Sequence, residues 1–463
     1  MQSPFVPMTI DRTRAEFPEL GEAWRERARR IDEALGLRCL SALATTIDVA
    51  PTGPLAGVPV VVKDTIDTAD LPTTAGSVVL PTDPPRRDAW IVETLRTNGA
   101  TIAAKASCSE WANFRGERSI SGWSARMGIV RNPYDPTRSA GGSSSGSAVA
   151  VAAGIAPIAI GTETDGSMLC PASLNGVIGF KASPKRLDRR GVIPISATQD
   201  SLGIFSASAE DLLVVAAALG IDAERLPTEP ALVVVDEALS AFHPATRARF
   251  AEALELLAAI GVRVEHLGMP PRGSLLPDDE DEVTVLTTEL GIELNRYLAE
   301  RAIPGLGDLA DVVRANEELA SVELALFGQE HFVRALDADA TSPAYLAARD
   351  RNLERCADAL ASALEATGAV ALCLPTMDVA WFTDTLLGDP EVPAGYRTAA
   401  VGAGTSASVP MGRIGHLPVG ISFSAPAGSE GSILELCALA ERALAPLAGR
   451  TSGPGALRSA EQR

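Results

Sequence analysis

The sequence predicts an α/β protein with a buried sheet, and three observations predict it. Apolar runs of strand length alternate with helix-length amphipathic stretches. Two Gly-rich loops adjoin such runs, SAGGSSSGS at 139–147 and GTETDGS at 161–167. The 463 residues are 46% hydrophobic, enough for a large core.

The elements follow in order. Residues 12–35 carry a charged, apolar-periodic pattern that predicts a helix or two around Pro18. GVPVVV at 57–62 predicts a strand ending on Lys63. Residues 88–98 predict a helix, and Thr101 to Lys105 a buried strand after the Asn98-Gly99 turn. The first Gly/Ser loop leads into a helix of small side chains at 148–154, and Ile155 to Ile160 predicts a strand before the second loop. Residues 208–220 predict a helix with Ser208 as N-cap and Glu210 and Asp211 in its first turn. Residues 244–260 and 344–367 predict amphipathic helices. Residues 369–374, ending at Pro375, and 417–423 predict buried strands, with a closing helix at 430–447. No repeat or long Pro- or Ser-rich linker divides the chain, so one elaborated domain over 1–463 is expected.

Charge and cysteine usage exclude several classes. Formal net charge is -19, from 59 acidic and 40 basic residues. Such a surface repels phosphate backbones, so no nucleic-acid partner is expected. The densest acidic run, Asp278 to Glu282, reads as a solvated loop. Cys39, Cys108, Cys170, Cys356, Cys373 and Cys437 show no metal-type spacing. They read as reduced, buried thiols of a cytoplasmic protein. Met1 to Ile10 is short and mixed, so no signal peptide is expected. The run from Ala148 to Ile160 is too short to span a membrane and contains Gly154 and Pro157, so no membrane association is expected.

The Gly/Ser loops narrow the chemistry. SAGGSSSGS lacks the lysine of a phosphate-binding P-loop, and no G-x-G-x-x-G fingerprint accompanies it. The four histidines, His243, His266, His331 and His416, lie far from both loops in sequence. A serine without histidine needs another base, and a neutral lysine can serve. A free lysine has a pKa of about 10.4, and burial lowers it because the charged form loses hydration. Lys63 ends an apolar run, where its ammonium would be desolvated.

GPLAGVPVVVKD at 53–64, GGSSSGSAVAVAAG at 141–154 and GTETDGSMLCPASLNGVIGFK at 161–181 together resemble the amidase signature family. The resemblance extends through 190–203 to 409–423 and weakens over about 221–365. EWANFR at 110–115, SGWS at 121–124 and RNPYD at 131–135 resemble its peptide-amidase-like branch. The resemblance implies a central mixed, twisted β-sheet surrounded by α-helices. It divides the domain into a signature core (about 53–205), a variable substrate-shaping region (about 221–365) and a C-terminal part of the core (about 366–450).

The resemblance also implies roles, position by position. Lys63 matches the family's base. Ser143 matches the bridging serine, which follows a Gly-Gly pair across a cis peptide bond, and Gly142 precedes it. Ser167 matches the nucleophile, 24 residues after Ser143 as in the family. Ser144 matches the serine that hydrogen-bonds the lysine. The N–H groups of Thr164, Asp165 and Gly166 match the oxyanion hole. The implied activity is hydrolysis of a small-molecule or peptide carboxamide through an acyl-serine, with no metal and no cofactor. Trp111, Asn113, Trp123, Met168 and Cys170 are the expected pocket walls. For the two tryptophans, core packing is an equal alternative.

Departures fall outside the proton relay. Asp165 stands where many members have glycine, Lys181-Ala182-Ser183 replaces Lys-Pro-Thr, Ile204 replaces a proline, and His416 replaces a common glycine. Three alternatives stay open: a glutaminase subunit of an amidotransferase complex, an acyl-transferring biosynthetic amidase and a silent binding member of the fold. A homodimer is compatible with the family.

Overall fold

β-branched and small residues run continuously through most strands, because helices cover both faces of the sheet. The computed structural model describes residues 6–47, 50 and 52–448. Within them the strands are β1 (Leu40–Leu43), β2 (Pro59–Lys63), β3 (Thr101–Ala106), β4 (Trp123–Ser124), β5 (Gly128–Ile129), β6 (Ile158–Glu163), β7 (Ile178–Lys181), β8 (Ser201–Ser206), β9 (Ala231–Val235), β10 (Arg263–Leu267), β11 (Ala371–Pro375), β12 (Thr405–Ile414) and β13 (Leu417–Ala425). β4 and β5 form a small ribbon. The other strands form one sheet in the order β1-β3-β2-β6-β8-β7-β12-β13-β11-β9-β10.

β2 pairs parallel with β3 and β6, and β9 with β10 and β11. The remaining pairings are antiparallel. The sheet is therefore mixed, as the resemblance implied. Successive side chains of a strand point to opposite faces. Val60 and Val62 accordingly join one apolar cluster, with Ile91, Leu212, Leu257 and Ile433. Val61 joins the other, with Trp24, Val149 and Leu169. The sheet thus separates two core layers.

The expected strand at 57–62 is β2, with Lys63 as its last residue. The helix around 208–220 runs Ala209–Ala218, and Ser208 caps it by accepting from the Asp211 N–H. The stretch around Pro18 holds two helices, Ile10–Glu16 and Gly21–Ala34. The helix Ser145–Ala152 starts inside the expected Gly/Ser loop, and all its residues are buried. A Cβ on Gly146 would lie 2.4 Å from the carbonyl oxygens of Cys39 and Ser107. Only glycine lets this helix approach the edge strands so closely. β6 continues through Gly161 to Glu163, three residues into the second expected loop, because β8 pairs with it to Glu163.

The acidic run is corrected outright. Asp278 accepts from the N–H groups of Glu280 and Asp281, and the helix Asp279–Arg301 begins there. Acids stabilise a helix N-terminus by capping and by the helix dipole, so the run marks a helix start. Leu286, Leu290, Leu294 and Leu298, four apart along this helix, bury a third apolar cluster with Phe332, Leu309 and Val312. No helix among the described residues is long and apolar enough to cross a membrane.

Candidate active site

The parallel strands β2 and β6 end at the same edge of the sheet, so Lys63 and the loop after Glu163 emerge side by side. Ligand sites gather at such carboxyl ends in α/β sheets. The turn before the helix Ser145–Ala152 brings Ser143 between them. The Gly142–Ser143 peptide bond is cis.

The three side chains that the sequence singles out form one chain of contacts. Lys63 Nζ lies 2.7 Å from Ser143 Oγ, and Ser143 Oγ lies 2.9 Å from Ser167 Oγ. Lys63 and Ser143 are fully buried, whereas Ser167 is half-buried. Burial lowers the Lys63 pKa to about 8, against the opposing pull of Cys108, Asp200 and Glu163. A buried amine near that value is available in its neutral form close to neutral pH.

Ser144 does not make the contact expected of it. Its Oγ donates to the Thr162 carbonyl at 3.0 Å. The second side chain on Lys63 is Thr162, whose Oγ1 lies 2.8 Å from Nζ. Thr162 sits on β6 beside the end of β2, so strand pairing delivers it; it lies within the Gly-rich stretch 161–167, but that stretch does not single it out.

Charged groups hold the loop around Ser167 from below and beside. Glu163 accepts from the N–H groups of Met168 and Leu169 at 2.7 and 3.1 Å and so fixes the chain after Ser167. Burial raises the Glu163 pKa, with Lys181 opposing. Thr164 Oγ1 donates to Asp200 at 2.6 Å, and Asp200 is itself held by Arg189 and the N–H groups of Ile195 and Ser196. Arg397 Nε donates to Asp165 at 2.9 Å. Gly166 has φ +80, and a Cβ there would lie 2.2 Å from the Tyr396 ring. Glycine is required on both counts. Among the described residues, the N–H groups of Asp165, Gly166 and Ser167 donate to no protein acceptor.

The expected pocket walls divide. Trp111 and Trp123 are 3% and 7% exposed, and each packs edge-on against a phenylalanine of the helical region, Phe332 and Phe327. Both tryptophans are packing residues here. Met168 is also core: it is fully buried, and its side chain lies against Gly161 and Gly203 beneath β6 and β8. A residue next to a nucleophile alternates between pocket and floor, and the turn sends Met168 to the floor. Cys170 stays at the site, its sulfur packed against Gly141. Asn113 ends a run of three left-handed residues, Trp111 to Asn113, and its Oδ1 is buried without a hydrogen-bond partner.

The histidines lie elsewhere. His331 stacks on Phe114, His243 caps a helix, His266 bonds Asp236, and His416 bonds Asp135. None of them bonds to Ser143 or Ser167.

Comparison with known proteins gives the family. The sequence model of the amidase family matches residues 37–434. A probable amidase of Arabidopsis thaliana is 33% identical over 84% of this chain and 77% of its own length. A glutamyl-tRNA(Gln) amidotransferase subunit of Thermus thermophilus is 32% identical over 92% of this chain and 94% of its own. The crystal structure of native peptide amidase from Stenotrophomonas maltophilia superposes with a TM-score of 0.83 at 34% identity, covering 94% of this chain and 97% of that one. With a match across most of its length and a shared fold, this chain belongs to the amidase family.

Proposed function

We propose that the chain hydrolyses a carboxamide C–N bond, with Ser167 as nucleophile, Ser143 as proton bridge and Lys63 as base. Family membership and the likeness to a peptide amidase support amide hydrolysis as the general activity. The observation that carries the mechanism is the run from Lys63 Nζ to Ser143 Oγ to Ser167 Oγ, at 2.7 and 2.9 Å, with no histidine bonded to either serine.

Neutral Lys63 takes the Ser143 proton while Ser143 takes that of Ser167. The Ser167 oxygen attacks the amide carbon, and the carbonyl oxygen gains charge. The N–H groups from Thr164 to Gly166 face that charge, joined by that of Ser167 itself. Each such donor contributes about a hundredfold or more to the rate. The proton returns through Ser143 to the leaving nitrogen, and ammonia or an amine departs as the C–N bond breaks. Water then attacks the acyl-serine by the same relay and releases the carboxylate. A C-terminal peptide amide is the proposed substrate class, from the likeness to the Stenotrophomonas peptide amidase.

Labelling with a fluorophosphonate probe tests the serine. The expected result is one adduct on Ser167, absent in Ser167→Ala and much slower in Lys63→Ala. No adduct on folded protein would overturn the mechanism. A second reading, a glutaminase that works inside an amidotransferase complex, is favoured by the similarity to the Thermus protein. Ammonia release from peptide amides by the chain alone would exclude it, and turnover of glutamine only with added partners would establish it.

A further inference from the structure

Asp165 poses an electrostatic problem. It is two residues before Ser167, in a loop whose N–H groups face developing negative charge in the mechanism proposed above. A carboxylate there repels the same charge that its own backbone attracts.

We propose that Arg397 is a positioning residue of the nucleophile loop: it neutralises the Asp165 carboxylate and fixes the loop's N–H groups in place. The inference rests on the reading of Ser167 as nucleophile. Arg397 begins the short helix Arg397–Val401 and follows Tyr396, whose ring closes over Gly166. Two adjacent residues therefore grip two adjacent residues of the loop, one by an ion pair and one by ring contact. Arg397 Nε donates to Asp165 Oδ2 at 2.9 Å. Its Nη2 donates to Glu282 at 2.6 Å and to Asp279 at 2.9 Å. Gln199 ties Glu282 to the same loop, donating to Glu282 at 3.2 Å and to the Thr164 carbonyl at 3.5 Å.

One guanidinium thus faces three carboxylates. Asp279 is largely exposed and screened by water, while Glu282 is buried. Burial, then the Asp165 charge, pushes the Glu282 pKa up to about 7, against Arg397. The cluster already resists further negative charge with Arg397 present. Without it, Asp165 would either carry an uncompensated charge beside the reacting carbonyl or shift the loop to reach water. The other oxygen of Asp165, Oδ1, is buried without a partner, so the carboxylate has no alternative anchor.

A purely structural role predicts a different pattern from a neutralising one, and a double-mutant cycle separates them. The measured quantity is the rate of fluorophosphonate adduct formation on Ser167, with kcat and KM for a peptide amide beside it and calorimetry reporting folding. Arg397→Met is expected to slow labelling and kcat by about tenfold or more, with KM changing less than about twofold. On an Asp165→Asn background the same substitution is expected to change the rate by less than about twofold. Arg397→Lys keeps the charge and is expected to stay within about threefold of the parent. Equal losses on both backgrounds, or a wild-type rate in Arg397→Met, would overturn the proposal. Should Arg397→Met not fold, Arg397→Lys and the double variant decide it: a lysine variant slower than the double variant overturns it. An absent Ser167 adduct on the unaltered protein would instead overturn the mechanism beneath it.

Discussion

The strand ends that carry Lys63 and Ser167 and the helices between 279 and 367 are secured by different means. At the strand ends, backbone ladders and small side chains set the frame, and Glu163, Asp200 and Arg397 hold the loop from Thr164 to Met168 within it. Ser143, Ser144, Ser145 and Ser147 are all fully buried, and the helix they lead into contains nothing larger than valine. The helical region instead fastens itself to the core through long acidic side chains. Glu282 reaches Arg397 and Gln199. Glu289 accepts from Ser196 Oγ, from Thr198 N and Oγ1, and from Tyr345. Glu323 accepts from Ser77, Val78, Val79 and the buried Arg115. The difference teaches that the edge carrying Lys63 and Ser143 is defined by close approach, which tolerates few substitutions. The region around it is joined by apolar packing against Trp111, Ile193 and Ile195 and by a few polar bonds, which can be relocated as pockets diverge.

Substitutions can break that contrast. The largest effect is expected from Ser167→Ala, which should lower amide turnover about ten-thousandfold with the fold intact. Ammonia release and calorimetry read both, and a small loss would move the chemistry away from the strand ends. Glu323→Ala should leave Arg115 buried without part of its counter-charge and destabilise by about 3–5 kcal/mol, as measured by urea unfolding. An unchanged midpoint would show that the acidic fasteners do little.

The pH profile comes next. Only neutral Lys63 can accept a proton, and its pKa is lowered to about 8. Below that value kcat/KM should fall about tenfold per pH unit, and above it reach a plateau. Lys63→Met should abolish the slope together with most of the rate. The smallest effect sharpens the assignment of Met168 to the core. Met168→Leu should change stability by less than about 1.5 kcal/mol and leave KM alone. A severalfold KM shift would return Met168 to the pocket wall.

Much of the candidate site is legible in the sequence through its resemblance to the amidase signature family, which rests on contiguous stretches. A strand ending on lysine, a Gly-Gly-Ser turn and a Gly-Ser pair each leave a contiguous mark, and their order and spacing supply the rest. Arg397 leaves no such mark, and Thr162 and Asp200 lie inside resembling stretches that do not single them out. Each reaches the site through strand pairing or through contacts between segments distant in the chain. Glu282, Glu289 and Glu323 leave none either: Glu282 falls in the run read as a solvated loop, no helix is predicted over Glu289 or Glu323, and apolar periodicity says nothing about which acid turns inward. Trp111 and Trp123 show the converse: large aromatics beside a motif need not line its pocket, because a helical layer packed over them claims their faces first. Charge density alone makes the run Asp278 to Glu282 look like a loop, whereas the capping value of its acids marks a helix start.

The sequence holds four lysines against thirty-six arginines. Lys63, Lys105 and Lys181 are fully buried, and Lys185 alone is exposed. Arginine keeps its charge everywhere, whereas a buried lysine can give up its proton, so the chain assigns the two cations to different tasks. Amine-directed reagents therefore meet a protein with almost no reactive lysine until it opens. Acylation at Lys63, Lys105 and Lys181 becomes a counter of unfolded molecules, while Lys185 and the α-amine react in the folded enzyme.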